Sequence, residues 1–169
     1  LTLDPKLKAA LGTFDGLALM GPRTNSKTPE MTITDPLPPA LPGLDITVAR
    51  VETFRADQPR PLMEGGAAIH WMETLEGTAP VLERTEDGQP ILVGDETLQY
   101  LGCWLDETAM ARVIKAACAS VALEVIDLPG GLRRRSTQTH DIYMNYGADP
   151  VDFNGWTLAP ADVKWIAKP

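Results

Sequence analysis

The stretch that most limits how this chain can fold is Leu17–Pro39, LALMGPRTNSKTPEMTITDPLPP. It opens on an apolar run suited to a buried strand, turns at Gly21-Pro22-Arg23, and leaves through Pro29, Pro36, Pro38 and Pro39. Proline has no amide hydrogen and its ring clashes with the preceding helical turn, so the exit is expected to be extended rather than helical. Gly21 to Thr28 fits a phosphate-binding loop at every fixed position except the second glycine, which is replaced by Ser26. That glycine gives the cradle its backbone geometry, and the loop must open a helix whose N-terminus meets the phosphate. Ser26 and Pro29 remove both conditions, so no nucleotide site is expected here.

Three parts follow from the punctuation of the chain. In the first, to about Asp57, Asp4-Pro5 reads as a helix start, with Asp4 as cap and Pro5 at the first helical position. Leu7, Ala10 and Leu11 supply a short apolar stripe, and Leu17–Met20 reads as a buried strand. A helix feeding a parallel strand normally follows a strand of its own, so the pattern reads as half of an α/β unit. Together with a start at Leu1, it leads to the expectation of a piece cut from a longer protein. Segment 29–43 carries five prolines and is expected either as a surface loop or as an arm lying against a neighbouring subunit.

The middle part is expected to be a meander closed by a helix. Ala67–Leu75 reads as a strand with Ile69 and Trp71 on one face. Pro80–Arg84 and Pro90–Val93 flank Asp87-Gly88 as a hairpin, and Gly94-Asp95 returns the chain into Thr97–Leu101. Asp106 caps a helix on which Met110, Val113, Ile114, Ala117 and Val121 recur at helical spacing, with Cys118 on the same face. From Leu128 the chain changes character. Pro129-Gly130-Gly131 breaks it, His140–Tyr146 alternates with Ile142, Met144 and Tyr146 on one face, and Val163–Ile166 supplies a closing strand. Val151–Phe153 and Trp156–Leu158 form a hairpin across Asn154-Gly155, a type I′ pair.

These residues also resemble, block by block, the C-terminal region of bacterial family-42 β-galactosidases. The blocks are GPRTNSKT at 21–28, LPP at 37–39, VARVET at 48–53, YLGCWLDE at 100–107, LPGG at 128–131, MNYG at 144–147 and LAPADVKWI at 158–166. The resemblance implies a fold of mixed α/β class. Residues 1–127 would be an N-terminally truncated trimerisation domain, partly amidotransferase- or flavodoxin-like, with a β meander and packing helices. Residues 128–169 would be a small antiparallel β-sandwich-like domain. It implies a non-catalytic scaffold region of an enzyme that hydrolyses terminal β-D-galactosides in a (β/α)8 barrel absent from this chain. The partners would be copies of itself, as a homotrimer, and that barrel, with galactoside met only through the parent enzyme. Gly21, Pro22, Arg23, Ser26, Lys27 and Thr28 would shape a turn near the interface, with Arg23 and Lys27 as its polar anchors.

Charge narrows the alternatives. The formal net charge is −8 and the only basic cluster is Arg133-Arg134-Arg135, which disfavours nucleic acid and anionic membranes as partners. No apolar run approaches the roughly 20 residues of a membrane-spanning helix. Cys103 and Cys118 are too few for a disulfide framework, so reduced thiols and a cytoplasmic location are expected. His70 and His140 share no metal-ligand spacing with them, and neither a metal nor a cofactor is expected.

No residue is assigned to catalysis. Retaining glycoside hydrolysis needs two carboxyl groups roughly 5–5.5 Å apart, and abundance does not identify them among Glu52, Glu64 and Glu73. Glu52 is expected to pair with a neighbouring arginine on a strand. An amidotransferase-type triad fails because Trp104 and Leu105 follow Cys103 where a sharp turn would be needed, and His140 belongs to a strand. The remaining alternative is a carbohydrate-binding accessory module, which would need an exposed platform of aromatics such as Tyr143, Tyr146 and Trp156.

Overall fold

The computed structural model of the chain describes residues 4–168. Asp4 caps the first helix, α1 (Pro5–Leu11), accepting the Leu7 amide at 2.9 Å with Pro5 in the first turn. The strands that follow are β1 (Ala18–Met20), β2 (Ile46–Thr53), β3 (Arg60–Pro61), β4 (Ala67–Gly77), β5 (Val81–Arg84), β6 (Pro90–Gly94), β7 (Leu98–Leu101) and β8 (Cys103–Leu105). Helix α2 (Glu107–Ser120) comes next, its first turn capped by Asp106, which accepts the Ala109 amide at 2.8 Å. Five short strands close the chain: β9 (Leu132–Ser136), β10 (His140–Asn145), β11 (Val151–Phe153), β12 (Trp156–Leu158) and β13 (Val163–Ala167). The described residues group into two compact units that divide between Glu124 and Val125.

In the first unit the meander runs β5–β6–β7 antiparallel, as the turn signals predict, and β1 joins it parallel to β7. The Asp95 carboxylate builds the second turn by accepting the amides of Thr97 and Leu98 at 2.8 and 3.0 Å. Paired residues of this sheet divide between two cores. Leu92 and Leu101 join Met72, Cys103, Ala109 and Val113, while Val93 and Tyr100 join Leu41, Leu44, Ile46 and Leu75. The sheet is thus covered on both faces, by α2 on one side and by the segment around Leu41–Ile46 on the other.

A second sheet orders β2–β4–β3, with β8 also pairing with β4. The alternation expected along Ala67–Leu75 breaks at His70, whose φ is +60°. There the register with β8 slips from Ile69–Trp104 to Met72–Cys103, and Met72 and Glu73 are buried side by side. Helix α2 departs from its expected stripe too. It buries Ala109 and Val113, but Ile114 and Val121 stay 45% and 38% exposed. Those two residues instead line an apolar groove of about 220 Å3 with Leu17, Leu19, Cys118 and Leu123.

The second unit orders β13–β10–β9 in one sheet and β11–β12 in another. Asn154 and Gly155, at φ +47° and +79°, make the tight turn that the Asn-Gly pair predicts. The core is Leu132, Tyr143 and Leu158, with Phe153 and Trp156 packed against it. Tyr143 and Asn145 therefore supply the buried face of β10, and Ile142 and Met144 the opposite one. Asn145 ties the unit together, donating to the carbonyls of Asp149, Leu158 and Ala159 at 2.9–3.1 Å and accepting the Gly147 amide at 2.8 Å.

Candidate functional site

The turn at Gly21–Thr28 is held by local bonds and by one distant carboxylate. Thr24 folds back on the turn, its hydroxyl donating to the Gly21 carbonyl at 2.7 Å. Arg23 and Asn25 both take positive φ, +65° and +53°. Asparagine enters that region more readily than most residues because its amide can bond locally, whereas the Arg23 backbone is held by another partner. Its amide donates to Oε1 of Glu73 at 3.0 Å across fifty positions of sequence. The Arg23 guanidinium lies 5.3 Å from the centroid of the Trp71 ring.

Glu73 is the hub. It is 3% exposed and accepts three donors: the Arg23 amide, the Trp71 indole N–H at 3.3 Å and the Tyr100 hydroxyl at 2.6 Å. Those bonds are what make a buried carboxylate tolerable. Burial, and then the neighbouring Glu73 charge and hydrogen bond, push the Tyr100 phenol far above its ordinary value near 10, so its proton stays in place as donor. With its oxygens committed to these bonds, Glu73 works as a brace for the turn rather than as an acid or base.

Downstream, the chain docks and then escapes. Asn25 donates from Nδ2 to the Pro39 carbonyl at 2.9 Å, and the Val48 amide donates to the Pro38 carbonyl at 2.7 Å. Pro39, Leu41 and Leu44 are consequently buried. Between the turn and this dock, Met31, Ile33 and Leu37 stand 68%, 68% and 52% exposed. The segment 29–43, expected as a surface loop or as an arm against a neighbouring subunit, thus has an exposed part and a docked part. Beside it lies a cleft of about 500 Å3 lined by residues that include Lys8, Asp35, Leu37, Leu41, Asp45 and Thr47.

Of the six residues expected to shape the turn, Gly21 and Arg23 carry its bonds through their backbones, and Thr28 bonds the Thr32 hydroxyl at 2.8 Å. Pro22 and Ser26 are half-buried and Lys27 is exposed. Sequence reasoning missed Thr24 and Asn25, the two most buried residues of the segment at 5% and 1%. Their turn-forming chemistry was the available signal. From the sequence Glu73 stands out only as a catalytic candidate. Its signal is an acid directly after Trp71-Met72 in the middle of a strand.

The other candidates resolve singly. Glu52 pairs with Arg50 at 2.5 Å and with Arg60 at 3.4 Å, the strand pairing expected of it. Cys103 is fully buried, and desolvation followed by the charges of Glu83 and Glu73 pushes its thiol up to about 12, the opposite of an activated nucleophile. Glu83, 4% exposed at its side chain, is held by Arg112 at 2.6 Å. Tyr143 packs in the core of the second unit, 5.2 Å from Trp156 between ring centroids, so Tyr143, Tyr146 and Trp156 form no common exposed platform. Among the described residues, no group of three or more His, Cys, Asp or Glu side chains is placed to hold a metal ion.

Proteins similar to this chain in sequence and in fold include several β-galactosidases. A β-galactosidase of Thermus thermophilus is 34% identical over 149 residues, covering 82% of this chain and 22% of that protein. The β-galactosidase BgaA of a Thermus species is 29% identical and spans 90% of this chain and 25% of its own. The crystal structure of the β-galactosidase from Marinomonas ef1 superposes with a TM-score of 0.87 at 28% identity, over 99% of this chain and 28% of that one. A GH42 β-galactosidase from G. stearothermophilus shares the fold at a TM-score of 0.71 and 13% identity. No protein-family model matches the chain. The chain spans about a quarter of the length of the curated relatives it matches. The resemblance carried by GPRTNSKT and the blocks after it is thereby borne out: the chain corresponds to one region of β-galactosidases, and the GH42 enzyme from G. stearothermophilus shares the fold of that region.

Proposed function

We propose that this chain is a non-catalytic assembly region of a β-galactosidase of the family-42 kind. The hydrolysis of terminal β-D-galactosides would be done by a (β/α)8 barrel elsewhere in the polypeptide. One observation carries the reading: the match to the Thermus thermophilus β-galactosidase takes in 82% of this chain but 22% of that protein. The fold agrees, since the described residues form two helices and short sheets in place of a barrel. The first unit would be part of an amidotransferase- or flavodoxin-like trimerisation domain, a reading supported by α1 feeding β1 and by the parallel pairing of β1 with β7. The second would be the small C-terminal β domain.

The turn at Gly21, Pro22, Arg23, Ser26, Lys27 and Thr28 then has a mechanical task. Braced on Glu73, it fixes where the chain leaves the sheet and projects the exposed apolar segment toward a neighbouring subunit. Free thiols at Cys103 and Cys118 fit a cytoplasmic setting.

Two measurements on the chain test this. It should not release nitrophenol from nitrophenyl β-D-galactoside, and light scattering should give a mass of three chains of 18.3 kDa each. Turnover by the chain alone would overturn the non-catalytic assignment, and the mass of a single chain would overturn assembly through this region.

A further inference from the structure

The outer face of the β13–β10–β9 sheet is exposed along β13 and β9, with Ile142 and Met144 half-buried between them, and has an unusual composition. Cross-strand partners share a face, so two rows can be read from the register. One runs Trp165–Ile142–Arg135 and the other Val163–Met144–Arg133. Trp165 is 63% exposed and Val163 45%, and both arginines are exposed. His140 meets the Trp165 ring edge-on at 5.9 Å between centroids, which restrains the indole. An exposed apolar sheet face rich in Trp, Met and Arg is the composition of a protein contact, in which aromatic and arginine side chains supply most of the binding energy.

Charge says what kind of partner fits. Residues 125–169 hold five Lys/Arg against five Asp/Glu, whereas residues 1–124 hold ten against eighteen, so the excess negative charge lies wholly in the first unit. The first unit also carries the exposed segment around Met31 and Ile33, which is flanked by the exposed acids Glu30 and Asp35. An apolar and acidic projection thus exists on the same chain as an apolar and basic face.

We propose that the face formed by Trp165, Ile142, Val163, Met144, Arg133 and Arg135 receives the segment 30–37 of a second copy of this chain. Met31 and Ile33 seat on the Trp165–Val163 half, and Glu30 and Asp35 meet the two arginines. The contact joins two different surfaces, so repeating it closes a ring if the rotation allows. It rests on the assembly reading above and goes beyond it by naming both surfaces.

The test is charge reversal read by light scattering on a sizing column. Arg133→Glu/Arg135→Glu and, separately, Glu30→Arg/Asp35→Arg should each reduce the assembly to single chains of 18.3 kDa. The chain carrying all four changes should regain the wild-type mass, which also shows that the reversed residues leave folding intact. Trp165→Ala should weaken association by more than about tenfold. An unchanged mass in the Arg133/Arg135 variant would overturn this face while leaving self-assembly standing. Failure of the fourfold variant to reassemble would overturn the pairing of these two surfaces. A wild-type chain that runs alone would overturn both this contact and the assembly reading.

Discussion

Two neighbouring segments, Gly21–Thr28 and residues 29–37, lie in one stretch of sequence and obey opposite physics. The first is polar in composition yet has buried members, Thr24 and Asn25 at 5% and 1% exposure. The second holds Met31 and Ile33, apolar residues that are each 68% exposed. Polarity decides neither outcome. Thr24, Asn25 and the Arg23 amide have hydrogen-bond partners waiting inside the fold, whereas Met31 and Ile33 belong to neither core cluster of the first unit. Burial follows the available partners.

Breaking the brace should give the largest effect. Glu73→Ala would leave the Arg23 amide, the Trp71 indole and the Tyr100 hydroxyl without their acceptor. A loss of roughly 3–5 kcal/mol is expected, since each stranded buried donor costs about 1–3 kcal/mol. The urea midpoint measures it, and a change below about 1 kcal/mol would show that the turn stands without Glu73.

Alkaline pH should sharpen the contrast by a smaller amount. The Tyr100 phenol is raised in the folded chain, so above its ordinary value near 10 the unfolded chain releases a proton that the folded chain keeps. Its contribution is therefore fully present below that value, and stability falls as pH rises beyond it. Tyr100→Phe should flatten that decline in urea midpoints taken from about pH 8 to pH 11. An equally steep decline in the variant would assign it to other groups.

The exposed segment should respond least. Met31→Ser/Ile33→Ser is expected to shift stability by no more than about 0.5 kcal/mol, the usual range for surface positions. The same pair should lower the mass seen by light scattering. A clear loss of stability with the mass unchanged would make this segment part of its own chain's packing.

Much of the local architecture was legible. Asp4-Pro5, Asp106, Asp95 and Asn154-Gly155 act through bonds to residues no more than three positions away, so the sequence that specifies them also contains their partners. The meander could be read for the same reason. The stripe on α2 could be read as helical, but the exposure of Ile114 and Val121 could not, because periodicity gives the face and not what covers it. The bulge at His70 was hidden as well: a histidine between Ile69 and Trp71 carries no mark of φ +60°.

Sequence alone therefore determined where helices are capped, where the chain turns, that the residues just beyond Pro29 form no helix, and which enzymes share its order of blocks. Tertiary structure decided that Glu73 braces a turn fifty residues away and that β10 buries Tyr143 and Asn145 in place of Ile142 and Met144. The reason is the same in both cases. Polarity alone favours Ile142 and Met144 over Asp141, Tyr143 and Asn145 as the inward face of β10, and a carboxylate beside an aromatic residue can serve catalysis or support. Only the β11–β12 hairpin packing on Tyr143, and the convergence of the Arg23, Trp71 and Tyr100 donors on Glu73, choose between those outcomes.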